Sequence, residues 1–135
     1  MIIALKEARK LVTHNASVQV NNANVTYGFR PQGLPNDTKG IVIESTGYEA
    51  VRTMDSTIPS AEIFRIQYNV MGSTINAVTT LAEQLEAVIA TYNASHILAR
   101  VRLEGQEMYS DIDGYNLSIN TVWTLMPGAA TELGY

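Results

Sequence analysis

The sequence predicts an α+β domain: a single antiparallel or mixed β-sheet with an N-terminal helix and one long helix packed on one face. Three observations point there. Residues 74–92 repeat apolar side chains at helical spacing, residues 61–72, 97–109 and 114–125 alternate apolar with polar, and the first dozen residues carry a second helical stripe. One sheet with both helices on its apolar face lets every stripe be buried at once.

The N-terminal stripe is Met1, Ala4, Leu5, Ala8, Leu11 and Val12, with Lys6, Arg9 and Lys10 on the other side. That helix is expected to end near "THNAS", where Asn15 can adopt a left-handed conformation. Short β-rich pieces follow at residues 17–20, 25–30 and 41–45, separated by "NNAN" and by the loop "RPQGLPNDTKG". The polar stretch "TGYEAVRTMDSTIPS", residues 46–60, reads as a long loop or an extended hairpin, because structureless connections of that length are uncommon in small domains.

The second half is clearer. "AEIFRIQYNVMG" puts Phe64, Ile66, Tyr68 and Val70 on one face and Arg65, Gln67 and Asn69 on the other, as a half-buried strand does. Gly72 breaks it and Ser73 is a suitable N-cap for the long helix, whose stripe is Ile75, Val78, Leu81, Ala82, Leu85, Val88, Ile89 and Tyr92. Two further strands alternate: Ile97, Ala99, Val101 and Leu103 in one, Tyr115, Leu117, Ile119, Trp123 and Leu125 in the other. "SDIDG" joins them as a hairpin. If the strands flanking the long helix are parallel, their crossover is right-handed. The final "MPGAATELGY", residues 126–135, has no period and is expected to trail loosely over the surface or onto a neighbour.

With 135 residues the chain fits one domain. Apolar residues make up 46% and charged residues only 16%, against a usual quarter or so, which hints at a surface partly covered by another chain. The net charge of −4 comes with no basic patch, which argues against tight binding to phosphate backbones. No cysteine is present, so disulfides, thiolate nucleophiles and cysteine metal sites are excluded. Charges interrupt the apolar N-terminus and no apolar run spans a bilayer, so a soluble protein made in the cytoplasm is expected. The sequons at Asn15, Asn24, Asn36, Asn93 and Asn116 then reflect plain abundance of Asn, Ser and Thr.

Catalytic chemistry finds little footing. His14 and His96 have no cysteine, second histidine or carboxylate pair at ligand spacing. No serine sits in a nucleophile elbow, and the glycines are scattered without a phosphate-cradling pattern. Asp111 and Asp113 before Gly114 suggest the start of a calcium loop, but the remaining ligands are missing. At an exposed hairpin tip such carboxylates keep ordinary pKa values and serve the turn. The aromatic residues Tyr68, Tyr92, Tyr109, Tyr115 and Trp123 have only Arg65, Arg100 and Arg102 as cations on nearby strands, which favours core or subunit contact over nucleic-acid stacking, the lesser alternative that these arginines on the polar face leave open.

"FRIQYNVMGST", then "AVTTLAEQLEAVI", then "ILARVRLEGQEMYSDIDGYNLSINTVWTL" resemble the tail terminator (tail completion) proteins of long-tailed bacteriophages and the related small minor capsid proteins of phage necks. Upstream, "VTYGFRPQGLP" is similar to that family's strand and proline loop, whereas residues 46–60 have no counterpart in the pattern. The resemblance implies a virion structural protein of the tail or neck, with no catalysis and no cofactor. Such a protein closes the growing tail tube as a ring, usually of six copies. Its partners would be further copies of itself, the major tail tube protein and a head-tail connector or neck protein, with DNA passing the lumen without specific binding. A ring needs a head-to-tail interface whose two patches differ, and by analogy the negative net charge would help DNA slide through.

Contacts to neighbouring subunits or to the tube are then expected from Arg30 and Pro31 in the proline loop, from Tyr48, Arg52, Met54 and Asp55 in the following polar stretch, and from Asp111 and Asp113 at the hairpin tip. Two alternatives stand beside this reading. One is a head-side connector or minor capsid protein of the neck, and the other, of a different class, is a small ligand-binding regulatory domain.

Overall fold

A computed structural model describes residues 2–28, 39–52, 60–111 and 114–135. The elements run α1 (Ile2–Thr13), β1 (Val25–Tyr27), β2 (Gly40–Val51), β3 (Ala61–Gly72), α2 (Ile75–Ser95), β4 (Ala99–Asp111), β5 (Gly114–Leu125) and a final turn of helix, α3 (Ala129–Glu132). The strands form one sheet in the order β1-β2-β3-β5-β4. β1 is parallel to β2 and every other pairing is antiparallel, so the sheet is mixed. The α+β class and the two helices on one sheet are as the sequence patterns require.

Alternation in the long strands decides which face is buried. Ile41 and Ile43 of β2, Phe64, Ile66, Tyr68 and Val70 of β3, and Leu117, Ile119 and Trp123 of β5 all lie under the helices, each under about a tenth exposed. α1 packs over β1, β2 and β3, and α2 over β3, β4 and β5. The stripe Val78, Leu81, Ala82, Leu85, Val88, Ile89 and Tyr92 is buried, and at about 25 cal/mol per Å² this seam with the sheet supplies much of the folding drive. β5 inserts between β3 and β4, which are therefore parallel to each other, with α2 as their connection.

Several local expectations need correction. Residues 17–20 form no strand, because their amides find other acceptors: Val18 N–H donates to the Asn15 carbonyl (3.1 Å), Val20 N–H to that of Val18 (3.0 Å) and Gln19 N–H to the Gln84 side chain (2.9 Å). Asn15 does not take a left-handed conformation. Its side-chain amide donates instead to the Leu11 carbonyl at 2.7 Å, capping the helix by another route. The cap of α2 is Thr74, not Ser73, with its side chain accepting from Ala77 N–H at 3.1 Å. Ile75 and Ile97, placed on apolar faces by spacing alone, are 50% and 80% exposed because they fall outside the packed stretch of their elements.

Residues 46–51 are strand. β2 runs through them and pairs with residues 61–65 of β3, which is the hairpin alternative for this stretch, while residues 53–59 lie outside the described part. The C-terminal segment is not loose. Met126 N–H donates to the Leu98 carbonyl, Ala129 is buried, the Glu132 carboxylate accepts from the amides of Ile97 (2.7 Å) and Leu98 (2.9 Å), and the Tyr135 hydroxyl donates to Glu7 (2.8 Å). Two amides just before β4 need acceptors, and Glu132 reaches both.

Candidate interaction surface

The sheet has one face without helices, and two of its strands bulge there. β2 changes register between Ser45 and Gly47, and β4 between Leu103 and Gly105, so the extra residues Thr46 and Glu104 flank Arg65 from either side. Thr46 Oγ1 donates to the Arg65 carbonyl at 3.2 Å, and Arg65 Nε lies 3.7 Å from the Glu104 carboxylate. Both partners of that ion pair are over 40% exposed, so it adds little stability. The bulges divide the sheet into two halves at the level of Arg65 and sharpen its twist.

Above this line the helix-free face holds a polar depression of about 420 Å³ lined by Glu44, Gln67, Asn69, Met71, Tyr109 and Asn116, among others. A hydrogen-bonded chain crosses three strands beside it, from Tyr109 through Ser118 (2.8 Å) to Asn69 Oδ1 (3.0 Å). Asn116 Oδ1 is buried there with no partner among the described residues. A buried acceptor without a donor carries a free-energy cost that a bound donor would relieve.

The two edges of the sheet are unlike. Along β4 the first half is sealed: Asn93 of α2 donates its side-chain amide to the Val101 carbonyl (2.7 Å) and accepts from Val101 N–H (2.8 Å), and Arg100 donates to the carbonyls of Asn93 and His96 (3.2 Å each). From Arg102 on the sealing stops. Residues 102–110 are all exposed, Leu103, Met108 and Tyr109 among them at 41%, 39% and 48%, and no outer partner meets their backbone among the described residues. On the opposite edge β1 pairs with residues 41–43 of β2 and stops there. Residues 47–51 of β2 then expose Tyr48 (48%) and Val51 (44%), with the Tyr48 ring resting on Phe64 at 5.0 Å between centroids.

Of the residues expected to make contacts, Tyr48 therefore stands on an exposed edge, and Arg52 follows it, exposed, at the end of β2. Asp111 is the last residue of β4 and pairs with Gly114, which places it at the opposite end of the sheet from Tyr48 and Arg52. Arg30, Pro31, Met54, Asp55 and Asp113 lie outside the described residues. The described members of the set, Tyr48, Arg52 and Asp111, mark two corners of the sheet.

A buried cluster escaped the pattern. Glu7, 6% exposed, accepts from the hydroxyls of Tyr92 (3.1 Å) and Tyr135 (2.8 Å), with Lys10 Nζ at 3.7 Å. Burial raises the Tyr92 hydroxyl far above its ordinary pKa, and the charge of Glu7 beside it pushes the same way. Tyr68 is raised by burial as well, its hydroxyl donating to the Ala8 carbonyl at 2.8 Å. The one signal available was Glu7's position between Ala4, Ala8 and Leu11 on the apolar stripe of α1. Tyr and Glu here bond to each other across α1, α2 and the C-terminus, which is a packing role.

Among the described residues no three His, Asp or Glu side chains are grouped as a metal would need, and no helix is long and apolar enough to cross a membrane. His96 is engaged structurally, with Nδ1 2.8 Å from the Tyr92 carbonyl and its ring stacked on Tyr92 at 4.0 Å. No protein-family model matches the chain, and no curated protein matches it either.

Proposed function

We propose that this chain is a ring-forming structural subunit of a long-tailed phage virion, a tail terminator that caps the tail tube and joins it to the head or neck. One observation carries the reading: the sheet ends in two exposed and dissimilar edges at diagonally opposite corners, residues 47–51 of β2 and 105–110 of β4. A ring closes through a heterologous interface, in which one patch of each subunit meets a different patch of the next. The resemblance of the second half of the chain to terminator proteins supports the same assignment, with further copies of the chain, the tube protein and a neck protein as partners. Native mass spectrometry is expected to give a closed multiple, six copies by that resemblance, and projection images an annulus. A strictly monomeric protein at high concentration would overturn the reading.

A second reading, a ligand-binding domain, draws on the polar depression beside Asn116. It requires a small molecule that raises Tm, with the gain lost in Asn116→Leu. A screen of amines and amides that leaves Tm unmoved would dismiss it.

A further inference from the structure

The backbone of β4 shows which of its groups face outward. Both the amide and the carbonyl of Val101 bond to Asn93, so they point away from β5. In an antiparallel pair such outward residues alternate with ladder-bonded ones. Carried through the bulge, with Gly105 opposite Asn120 and Gln106 opposite Ile119, the outward groups beyond it are those of Gln106, Met108 and Ser110. Three N–H and three C=O groups thus form a row along an exposed strand that meets no partner among the described residues. Such a row is a template for another strand. Gln106 is braced by a hydrogen bond to Glu86 of α2, which holds this part of the edge in place.

We infer that this row pairs antiparallel with residues 47–51 of β2 from the next copy, so that the sheet continues from subunit to subunit. The inference rests on the ring reading and specifies its seam. Three features favour a second copy, presenting β2, as the occupant. The strands run in the right sense, because β2 is antiparallel to β3, β3 to β5 and β5 to β4, which leaves β4 antiparallel to β2. Rotation about an axis near the strand direction preserves that sense. The open stretches are of similar length, six residues and five, and each has apolar side chains waiting: Met108 and Tyr109 on one, Tyr48 and Val51 on the other.

The faces match as well. Gln106, Met108 and Ser110 share the helix side of the sheet with Tyr48 and Ala50. A register that keeps like faces together and sets Ala50 opposite Met108 places Glu49 beside Tyr109, avoiding the like-charge pair with Glu107. Because the open stretches lie at opposite ends of the sheet, successive copies are staggered, and closure then tilts the strands against the ring axis as in any barrel.

Proline at position 108 removes one outward donor without touching the ladder to β5, so Met108→Pro should fold with a cooperative thermal transition and lose the ring mass. Should that variant fail to fold, Met108→Lys tests the same edge by charge. A wild-type ring that persists in the folded variant overturns the seam and leaves the ring reading standing, whereas a monomeric wild type overturns the ring reading itself. The chain has no native cysteine, so introduced thiols report cleanly. Mild oxidation of the Ala50→Cys/Met108→Cys double variant should give a ladder of covalent multimers. Met108→Cys alone should stay uncrosslinked, and a dimer from it would show two β4 edges meeting each other and sink the proposal.

Discussion

A carboxylate taken out of water needs donors, and Glu7 finds two in the hydroxyls of Tyr92 and Tyr135. Burial, and after it the charge and hydrogen bond of Glu7, holds Tyr92 neutral, and burial holds Tyr68 neutral. A tyrosine whose folded pKa is raised above the unfolded value near 10.0 contributes stability that is complete below pH 10 and lost as pH rises further. Each such tyrosine should steepen the loss by about 1.4 kcal/mol per pH unit once the unfolded chain ionises. Tyr92→Phe should therefore cost about 1–2 kcal/mol at pH 7, through the donor lost to Glu7, yet flatten the decline above pH 10. Urea unfolding from pH 8 to 11 reads both effects, and an unchanged alkaline slope would contradict the assignment. Gly114 offers a sharper test. Its φ of +137° is unfavourable for other residues, and a Cβ there would meet the Gly72 carbonyl oxygen at 2.5 Å. Gly114→Ala should lower stability by about 1–3 kcal/mol, visible as a fall in Tm; a neutral result would mean that the hairpin relaxes freely.

At the scale of elements, the edge of β4 shows how a side chain can stand in for a strand. Asn93 offers Val101 both an acceptor and a donor, as a neighbouring strand would, and Arg100 adds bonds to the end of α2. Asn93→Ala should cost about 1–2 kcal/mol and speed hydrogen exchange at the Val101 amide selectively. Exchange that stays slow at Val101 would show that Asn93 does not protect it. This device was not legible in the sequence, where Asn93 reads as one polar residue near the end of a helix. What was legible had a period: the alternation of β3, β4 and β5 and the stripe of α2 each bury one face, so their order and their packing follow from spacing. Residues 46–51 had weaker alternation, since Thr46 is a bulge that shifts the faces from Ile43 to Tyr48. The docking of residues 126–135 rests on a few long-range bonds from Met126, Glu132 and Tyr135 and on the burial of Ala129, which leave no periodic trace. Tyr48 and Arg52 were legible as exposed residues, but their distance from Asp111 was not, because it depends on strand order.

At the scale of the whole molecule, the proposed ring gives the hairpin end a role to test, through the position of Asp111. Asp111 pairs with Gly114 at the close of β4, directly beyond the outward row formed by Gln106, Met108 and Ser110. Replacing both Asp111 and Asp113 by Asn removes two charges while keeping side chains suited to a turn. The expected outcome is a weaker assembly with Tm altered little. If the charges act across a subunit boundary, salt should imitate the substitution, because at about 1 M the screening length falls to roughly 3 Å. Wild-type rings should then dissociate at higher dilution in low salt than in high salt, and the double variant should lose that dependence. Sedimentation at the two salt concentrations separates the cases. A double variant that assembles like wild type, with the same response to salt, would reduce Asp111 and Asp113 to turn residues and confine the subunit contact to the strand edges.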